Sequence, residues 1–389
     1  MNSPKVKAMS YKILILSCNT GEGHNSCAKA LKQAFEANGL KCDIYDALSL
    51  ADEWLSKATS DIYEYSITNS MFSTGYAIGE WYSNLKIKPK SPLYTLNAIY
   101  AKKLHRLLCD NSYNAVVCTH IFPAEALTVI RKRYDLAAPA FFVATDYVCY
   151  PMMAETKLNG YMIAHPDLIG EYIRKGIPTD KLYPTGIPCQ IKSSYQISRQ
   201  EARQIIDSDY FQNSQSYSGK WFMVMGGSMG FGNMMEIVKR LNDRCSLDDR
   251  IICLCGRNLK LKEEIEDTYP LSRVIRAIEF TDKIPIFMDA CDVIFTKPGG
   301  LTSTEALNRG IPIIHTSPIK GIEDQNALFF HKRNMSFSSN DPDEQVDYAF
   351  RLCMDSACRA TMIEAQRINR ADDACERIME IMEKHISGL

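Results

Sequence analysis

The sequence is most informative first in what it lacks. No stretch of about 18 uncharged apolar residues occurs along its 389 residues, and the first ten, MNSPKVKAMS, hold no apolar run, so neither a membrane span nor a secretion signal is expected. None of the 14 cysteines, scattered from Cys18 to Cys375, stands in a CxxC pair. They read as small core residues of a reducing compartment rather than as a disulfide framework or zinc module, and Cys253 and Cys255, spaced to share one face of a strand, have no second ligand pair. Neither charge sign dominates: 45 Lys plus Arg against 46 Asp plus Glu leave −1, which offers no global attraction for nucleic acid. The phosphate-loop pattern GxxxxGK[ST] is missing, and Gly21-Glu-Gly23 lacks the third glycine of the dinucleotide fingerprint, which counts against nucleoside triphosphate hydrolysis and NAD binding.

What is present is an average globular composition, 46% hydrophobic and 23% charged, in a chain long enough for two domains. Tyr11-Lys-Ile-Leu-Ile-Leu-Ser17, then Gly21-Glu-Gly-His-Asn25, then a helical stretch from Ser26 to Asn38 closed by Gly39 spell strand, glycine turn, helix and stop. Lys41 to Asp46 supplies the next strand, and the apolar runs at 115–119 and 140–144 fit parallel strands buried on both faces. A Pro- and Gly-rich stretch, KLYPTGIPCQ, places a domain boundary near residue 190. Beyond it the pattern repeats, with strands at 221–225, 251–256, 293–296 and 311–315, and from Asp341 onward the chain reads as helical. The expected fold is α/β, two doubly wound domains in tandem.

Three glycine-bearing turns follow predicted strands and open helices: Gly21 to His24, Gly226 to Gly230, and Gly299 to Leu301. Such turns direct backbone N–H groups at the positive end of a helix dipole and so receive phosphate. Glu305, one turn inside the helix near Gly300, is placed to accept two ribose hydroxyls; the alternative is an acid that merely stabilises the first turns of its helix. His24 titrates near neutral pH and follows a turn, which suits a general base or a helix cap. The acid pairs Asp207-Ser-Asp209 and Asp341-Pro-Asp343 do not end apolar strands and read as surface turns.

The run Thr296-Lys-Pro-Gly-Gly-Leu-Thr-Ser-Thr-Glu305 with Gly310-Ile-Pro312, the later Gly321-Ile-Glu-Asp-Gln-Asn326, Gly226-Gly-Ser-Met-Gly230 and Gly21-Glu-Gly-His24 together resemble the monogalactosyldiacylglycerol synthase and processive diacylglycerol glucosyltransferase family. These GT-B enzymes are related to the N-acetylglucosaminyltransferase that forms lipid II. The resemblance runs from Lys12 to about Phe330. It implies two Rossmann-like domains facing a cleft: an acceptor domain over residues 1–190, a UDP-sugar domain over 191–370, and a final helix, 371–389, packing back toward the first. It assigns Glu305 to the ribose, Glu323 and Asn326 to the sugar and diphosphate end, Gly226, Gly227, Ser228, Pro298, Gly299, Gly300 and Leu301 to the phosphates, and Phe280 and Thr281 to the uracil. His24 becomes the catalytic candidate, with Gly23, His120 and Asp146 on the acceptor side.

The implied reaction is inverting transfer of a hexose from UDP-glucose or UDP-galactose to a lipid hydroxyl such as that of diacylglycerol, with no cofactor and no metal. Alternatives on the same scaffold are a UDP-sugar 2-epimerase and a non-catalytic UDP-sugar sensor. Residues Trp81 to Cys109 contain Lys86, Lys88, Lys90, Lys102, Lys103 and Arg106 among aromatic and aliphatic side chains, with no acid. That strip reads either as a seat on an anionic membrane, making the protein peripheral on the inner face of the cell membrane, or as a solvated helix face over core. After Thr145-Asp146 this chain has Tyr147-Val-Cys-Tyr-Pro-Met-Met153 where family members usually have a histidine and a tryptophan.

Overall fold

The computed structural model describes residues 11–18, 22–50, 90–134, 136–190, 196–211, 218–230, 232–318 and 320–388. The chain divides into two compact units, one of residues 1–190, 320–322 and 373–389, the other of residues 191–319 and 323–372.

Unit 1 is built on strands β1 (Lys12–Ser17), β2 (Lys41–Asp46), β3 (Ala115–Cys118), β4 (Ala140–Val143), β5 (Gly160–Ile163) and β6 (Leu182–Pro184). All are parallel, in the order β2-β1-β3-β4-β5-β6. Inner strands such as Ala-Val-Val-Cys and Ala-Phe-Phe-Val are buried at every position, because helices cover both faces. The edge strand β2 is only partly covered, burying Cys42 and exposing Lys41 and Tyr45. The direction of winding reverses between β1 and β3, so the carboxyl ends of those two strands form the switch point, where a doubly wound sheet leaves a crevice. The helix Ala374–Ser387 buries Cys375, Ile378 and Met382, at spacings of three and four, into the same core as Leu31 and Phe35 of the helix Glu22–Ala37.

Unit 2 carries β7 (Trp221–Met225), β8 (Arg250–Gly256), β9 (Ile275–Glu279), β10 (Val293–Thr296), β11 (Ile313–His315) and β12 (Phe337–Ser338). They too are parallel, ordered β12-β11-β10-β7-β8-β9, which is the Rossmann arrangement with its switch point between β7 and β10. The helical stretch after Asp341 is three helices, Pro342–Met354, Ser356–Asn369 and Ala374–Ser387. Asp355 interrupts it because its carboxylate caps the amides of Ala357 and Cys358.

All fourteen cysteines are free and ten are buried, with Cys253 and Cys255 both inside the unit 2 core. Neither acid pair is a simple surface turn. Asp207 is buried in a π-helical turn, 3.8 Å from the Arg250 guanidinium, and Asp209 pairs with Lys283 at 2.9 Å. Asp341 caps the helix Pro342–Met354 and Asp343 binds Arg240.

The turns after β7 and β8 lie backbone against backbone: the Arg257 amide donates to Ser228 O and the Asn258 side-chain amide to Gly230 O. Gly230 and Gly256 both hold positive φ, and a Cβ on them would meet Cys255 O at 2.2 Å and Ser228 O at 2.3 Å. Gly227 shares the positive φ, but a Cβ there meets nothing within 4 Å. Gly227→Ala should therefore cost only the left-handed strain, about 1–2 kcal/mol, whereas Gly230→Ala and Gly256→Ala must also part the two turns and lower the melting temperature further. Equal losses for all three in thermal melts would refute this close contact.

Candidate functional site

At the unit 1 switch point the helix Glu22–Ala37 starts two residues before His24, and the helix Ile121–Arg133 starts directly after His120. Gly21 lies outside the described residues; Gly23 sits in the first helical turn with open space where a Cβ would be. Because β1 and β3 are neighbours, the two histidines meet edge to face with ring centroids 4.5 Å apart. His120 Nδ1 accepts from the Phe122 amide and so caps its own helix.

His24 Nδ1 donates to the Thr119 carbonyl at 2.8 Å. A carbonyl only accepts, so this bond puts the proton on Nδ1 and leaves the lone pair on Nε2. Thr145 Oγ1 lies 3.1 Å from the same Nδ1, and Tyr150 OH touches both Thr145 Oγ1, at 2.7 Å, and Asp146 Oδ2. The segment from Thr145 to Tyr150 is pinned from behind, since Glu171 accepts from the Cys149 amide and Tyr172 OH donates to Val148 O. On the other side Ser17, at the end of β1, donates to the Asn25 side chain.

Burial lowers the pKa of His24, with Asp146 and the Thr119 carbonyl pulling it back up. Burial and the neighbouring His24 push His120 well below the ordinary histidine range. Both rings are neutral at pH 7, and a neutral imidazole with a bare Nε2 is a proton acceptor. The expected residues His24, His120 and Asp146 are thus brought together in unit 1. Tyr150, which joins them, was not singled out from the sequence, where a tyrosine in an apolar run gives no such signal.

Two helices follow the neighbouring strands at the unit 2 switch point, Met234–Asn242 after β7 and Gly300–Arg309 after β10. Gly226, Gly227 and Ser228 form the turn before the first, and Pro298 and Gly299 lead into the second, whose opening residues are Gly300 and Leu301. The N-cap of the second is Gly299, which brings no capping side chain and would leave open space at its Cβ. Gly299 itself therefore supplies no side chain to offset the positive end of this helix dipole.

Glu305 is half-buried in the second turn of that helix and makes no hydrogen bond among the described residues. Burial raises its pKa to about 8, with Arg309 acting in the opposite direction. Glu323 forms an ion pair with Lys297 at 3.1 Å, and both side chains are largely buried. Lys297, at the carboxyl end of β10, is a cation beside the helix start that sequence reasoning passed over although it stands inside the quoted motif. Asn326, assigned by the resemblance to the sugar and diphosphate end, is buried, and its side-chain amide donates to Pro298 O at 2.9 Å. Phe280, just past β9, is 57% exposed, with the Arg257 guanidinium 5.4 Å from its ring centre. Thr281 Oγ1 accepts from the Lys283 amide.

Lys86 and Lys88 of the basic strip lie outside the described residues. Lys90 donates to Glu155 O and sits 4.1 Å over the Tyr94 ring, so it is engaged internally. Tyr100 is buried, while Leu96 and Ile99 are 42% and 51% exposed beside the exposed Lys102, Lys103 and Arg106. Among the described residues no helix is long and apolar enough to cross a membrane, and no three His, Cys, Asp or Glu residues cluster so as to hold a metal.

Two family models match in tandem, monogalactosyldiacylglycerol (MGDG) synthase over residues 24–189 and the glycosyltransferase family 28 C-terminal domain over residues 222–378. A processive diacylglycerol β-glucosyltransferase of Bacillus cereus (strain 03BB102) is 25% identical, covering 96% of this chain and 94% of its own. The fold is shared with Acinetobacter baumannii MurG (TM-score 0.60, 14% identity, 96% of this chain and 99% of that one). It is shared too with the Neisseria meningitidis UDP-GlcNAc 2-epimerase bound to UDP-GlcNAc (TM-score 0.59, 13% identity, 96% of this chain and all of that one). With the MGDG synthase domain followed by the family 28 domain, the chain belongs to the monogalactosyldiacylglycerol synthase and processive diacylglycerol glucosyltransferase family of GT-B glycosyltransferases.

Proposed function

We propose that this protein transfers a hexose from a UDP-sugar to the hydroxyl of a diacylglycerol-type lipid with inversion at the anomeric carbon. The observation that carries the reading is the start of the helix Gly300–Arg309 at the unit 2 switch point, with Gly299 as an N-cap without a side chain, Lys297 just before it and Glu305 one turn inside. In this reading the amides around Gly226 to Ser228 and Gly299 to Leu301 receive the diphosphate, the ribose hydroxyls donate to Glu305, and the uracil lies by Phe280 and Thr281. Lys297, held by Glu323, and the helix dipole stabilise the charge that develops on the leaving UDP, so transfer proceeds without a divalent cation. In unit 1, Nε2 of His24 takes the proton of the attacking lipid hydroxyl. The sugar is glucose or galactose, a choice that rests on contacts to a single hydroxyl.

Labelled UDP-glucose or UDP-galactose, incubated with diacylglycerol vesicles in the presence of EDTA, should yield glycolipid, and His24→Ala should lower turnover by at least 100-fold at unchanged UDP affinity. An epimerised sugar nucleotide without glycolipid would refute the proposal.

The Glu305 assignment has a pH signature. The empty site holds the acid form below about pH 8, whereas two donating hydroxyls favour the carboxylate, so UDP binding releases a proton. Affinity should rise with pH up to about 8 and level off above it. Calorimetry in buffers of differing ionisation enthalpy reads the released proton, and Glu305→Gln should abolish the slope and weaken UDP roughly 10- to 100-fold. A slope that survives the substitution refutes the assignment.

Leu96 and Ile99, exposed beside Lys102, Lys103 and Arg106, support a peripheral seat on the inner face of an anionic membrane. Replacing Lys102 and Arg106 together with glutamate should reduce co-sedimentation with phosphatidylglycerol vesicles and leave binding to neutral vesicles unaffected.

A further inference from the structure

We propose that Tyr150 is a positioning residue for His24, the final donor of a one-way hydrogen-bond chain that runs from the imidazole through Thr145 to Asp146. The inference rests on His24 being the base proposed above, and adds the group that orients it.

The direction of the chain follows from its end. A carboxylate has no proton to give, so the Tyr150 hydroxyl, 2.5 Å from Asp146 Oδ2, donates there. The Tyr150 oxygen is then left as an acceptor, and Thr145 Oγ1 at 2.7 Å donates into it. With its one proton committed, Thr145 Oγ1 can only accept from His24 Nδ1, 3.1 Å away. Thr145 and the Thr119 carbonyl therefore both demand a proton on Nδ1, and Nε2 stays bare. Each bond in the row points the same way, so protonation of Nε2 during transfer polarises the whole row toward the Asp146 carboxylate.

Tyr150 is suited to this place. It is buried beneath Phe142, with ring centroids 5.9 Å apart, and burial together with Asp146 raises its pKa well above the ordinary tyrosine value, so it remains a donor at every working pH. Without its hydroxyl the Thr145 proton is left with two acceptors, Asp146 Oδ2 at 3.4 Å and, nearer, His24 Nδ1 at 3.1 Å. It can then turn to Nδ1, which favours the tautomer that blocks Nε2. The titratable groups facing His24 are Asp146 after β4, His120 at the start of the helix Ile121–Arg133, and Tyr150 itself through Thr145.

Tyr150→Phe keeps the ring in the core and removes only the hydroxyl. In the full-length protein with ¹⁵N-labelled histidine, the wild type should show His24 with Nδ1 protonated and Nε2 bare. Tyr150→Phe should move both shifts toward tautomer averaging, and Asp146→Asn, which lets the end of the chain donate, should do the same. Turnover of Tyr150→Phe should fall roughly 10- to 100-fold, the value of one hydrogen bond to a charged group, with donor KM unchanged and the acid limb of the kcat profile moved to lower pH. Wild-type nitrogen shifts together with a wild-type acid limb in Tyr150→Phe overturn the proposal. If His24→Ala keeps full turnover while Tyr150→Phe still shifts the His24 tautomer, His24 is not the base but the positioning chain stands.

Discussion

A parallel sheet covered by helices on both faces leaves its strands no wet side, and the structure of this protein follows from that constraint. Polar chemistry is pushed to the carboxyl edge, where each strand hands over to a helix whose first N–H groups have no partner in the helix. Both units concentrate their candidate residues at the switch point of such an edge, β1 beside β3 in one and β7 beside β10 in the other. They use it in opposite ways. In unit 1 a histidine side chain fills the cap position, and the site is an array of imidazole, hydroxyl and carboxylate groups. In unit 2 the cap is a glycine, and the site presents backbone and a lysine to whatever anion arrives.

Burial sets the charge state of both sites at rest. His24 and His120 are held neutral mainly by loss of solvent, and Glu305 is held as the acid by the same cause. Lys297 is matched by Glu323. The proposed substrates then supply what is missing: hydroxyls that favour the Glu305 carboxylate, a diphosphate that meets the helix dipole and Lys297, and an acceptor proton for Nε2. Groups that change charge only when substrate is present are suited to stabilising charge that develops during a reaction.

The longer strands were legible because residues buried on both faces need unbroken apolar runs, and Ile13 to Leu16, Trp221 to Met225 and Ile251 to Cys255 are such runs. Strands β5, β6 and β12 were not. They are four, three and two residues long, and Gly160 and Pro184 within them look like turn residues. The helix break at Asp355 was hidden for a related reason, since apolar periodicity continues across it and only the carboxylate on two amides ends the helix. Asn326 shows the limit of a motif: its place in the run is readable, but its burial against Pro298 O belongs to the packing of the helix Ile322–His331.

The amino-acid order alone determined the class of fold, the turns where phosphate-binding backbone would lie, and the presence of His24, Asp146 and Glu305 near strand ends, because apolar periodicity and glycine placement are local properties. Only the tertiary structure decided which nitrogen of His24 carries the proton, that Tyr150 links Thr145 to Asp146, that Lys90 is engaged internally, and that Lys297 is anchored by Glu323. Each of those depends on groups brought within about 3 Å of one another from distant parts of the chain, and hydrogen bonding at that range is settled by packing rather than by order.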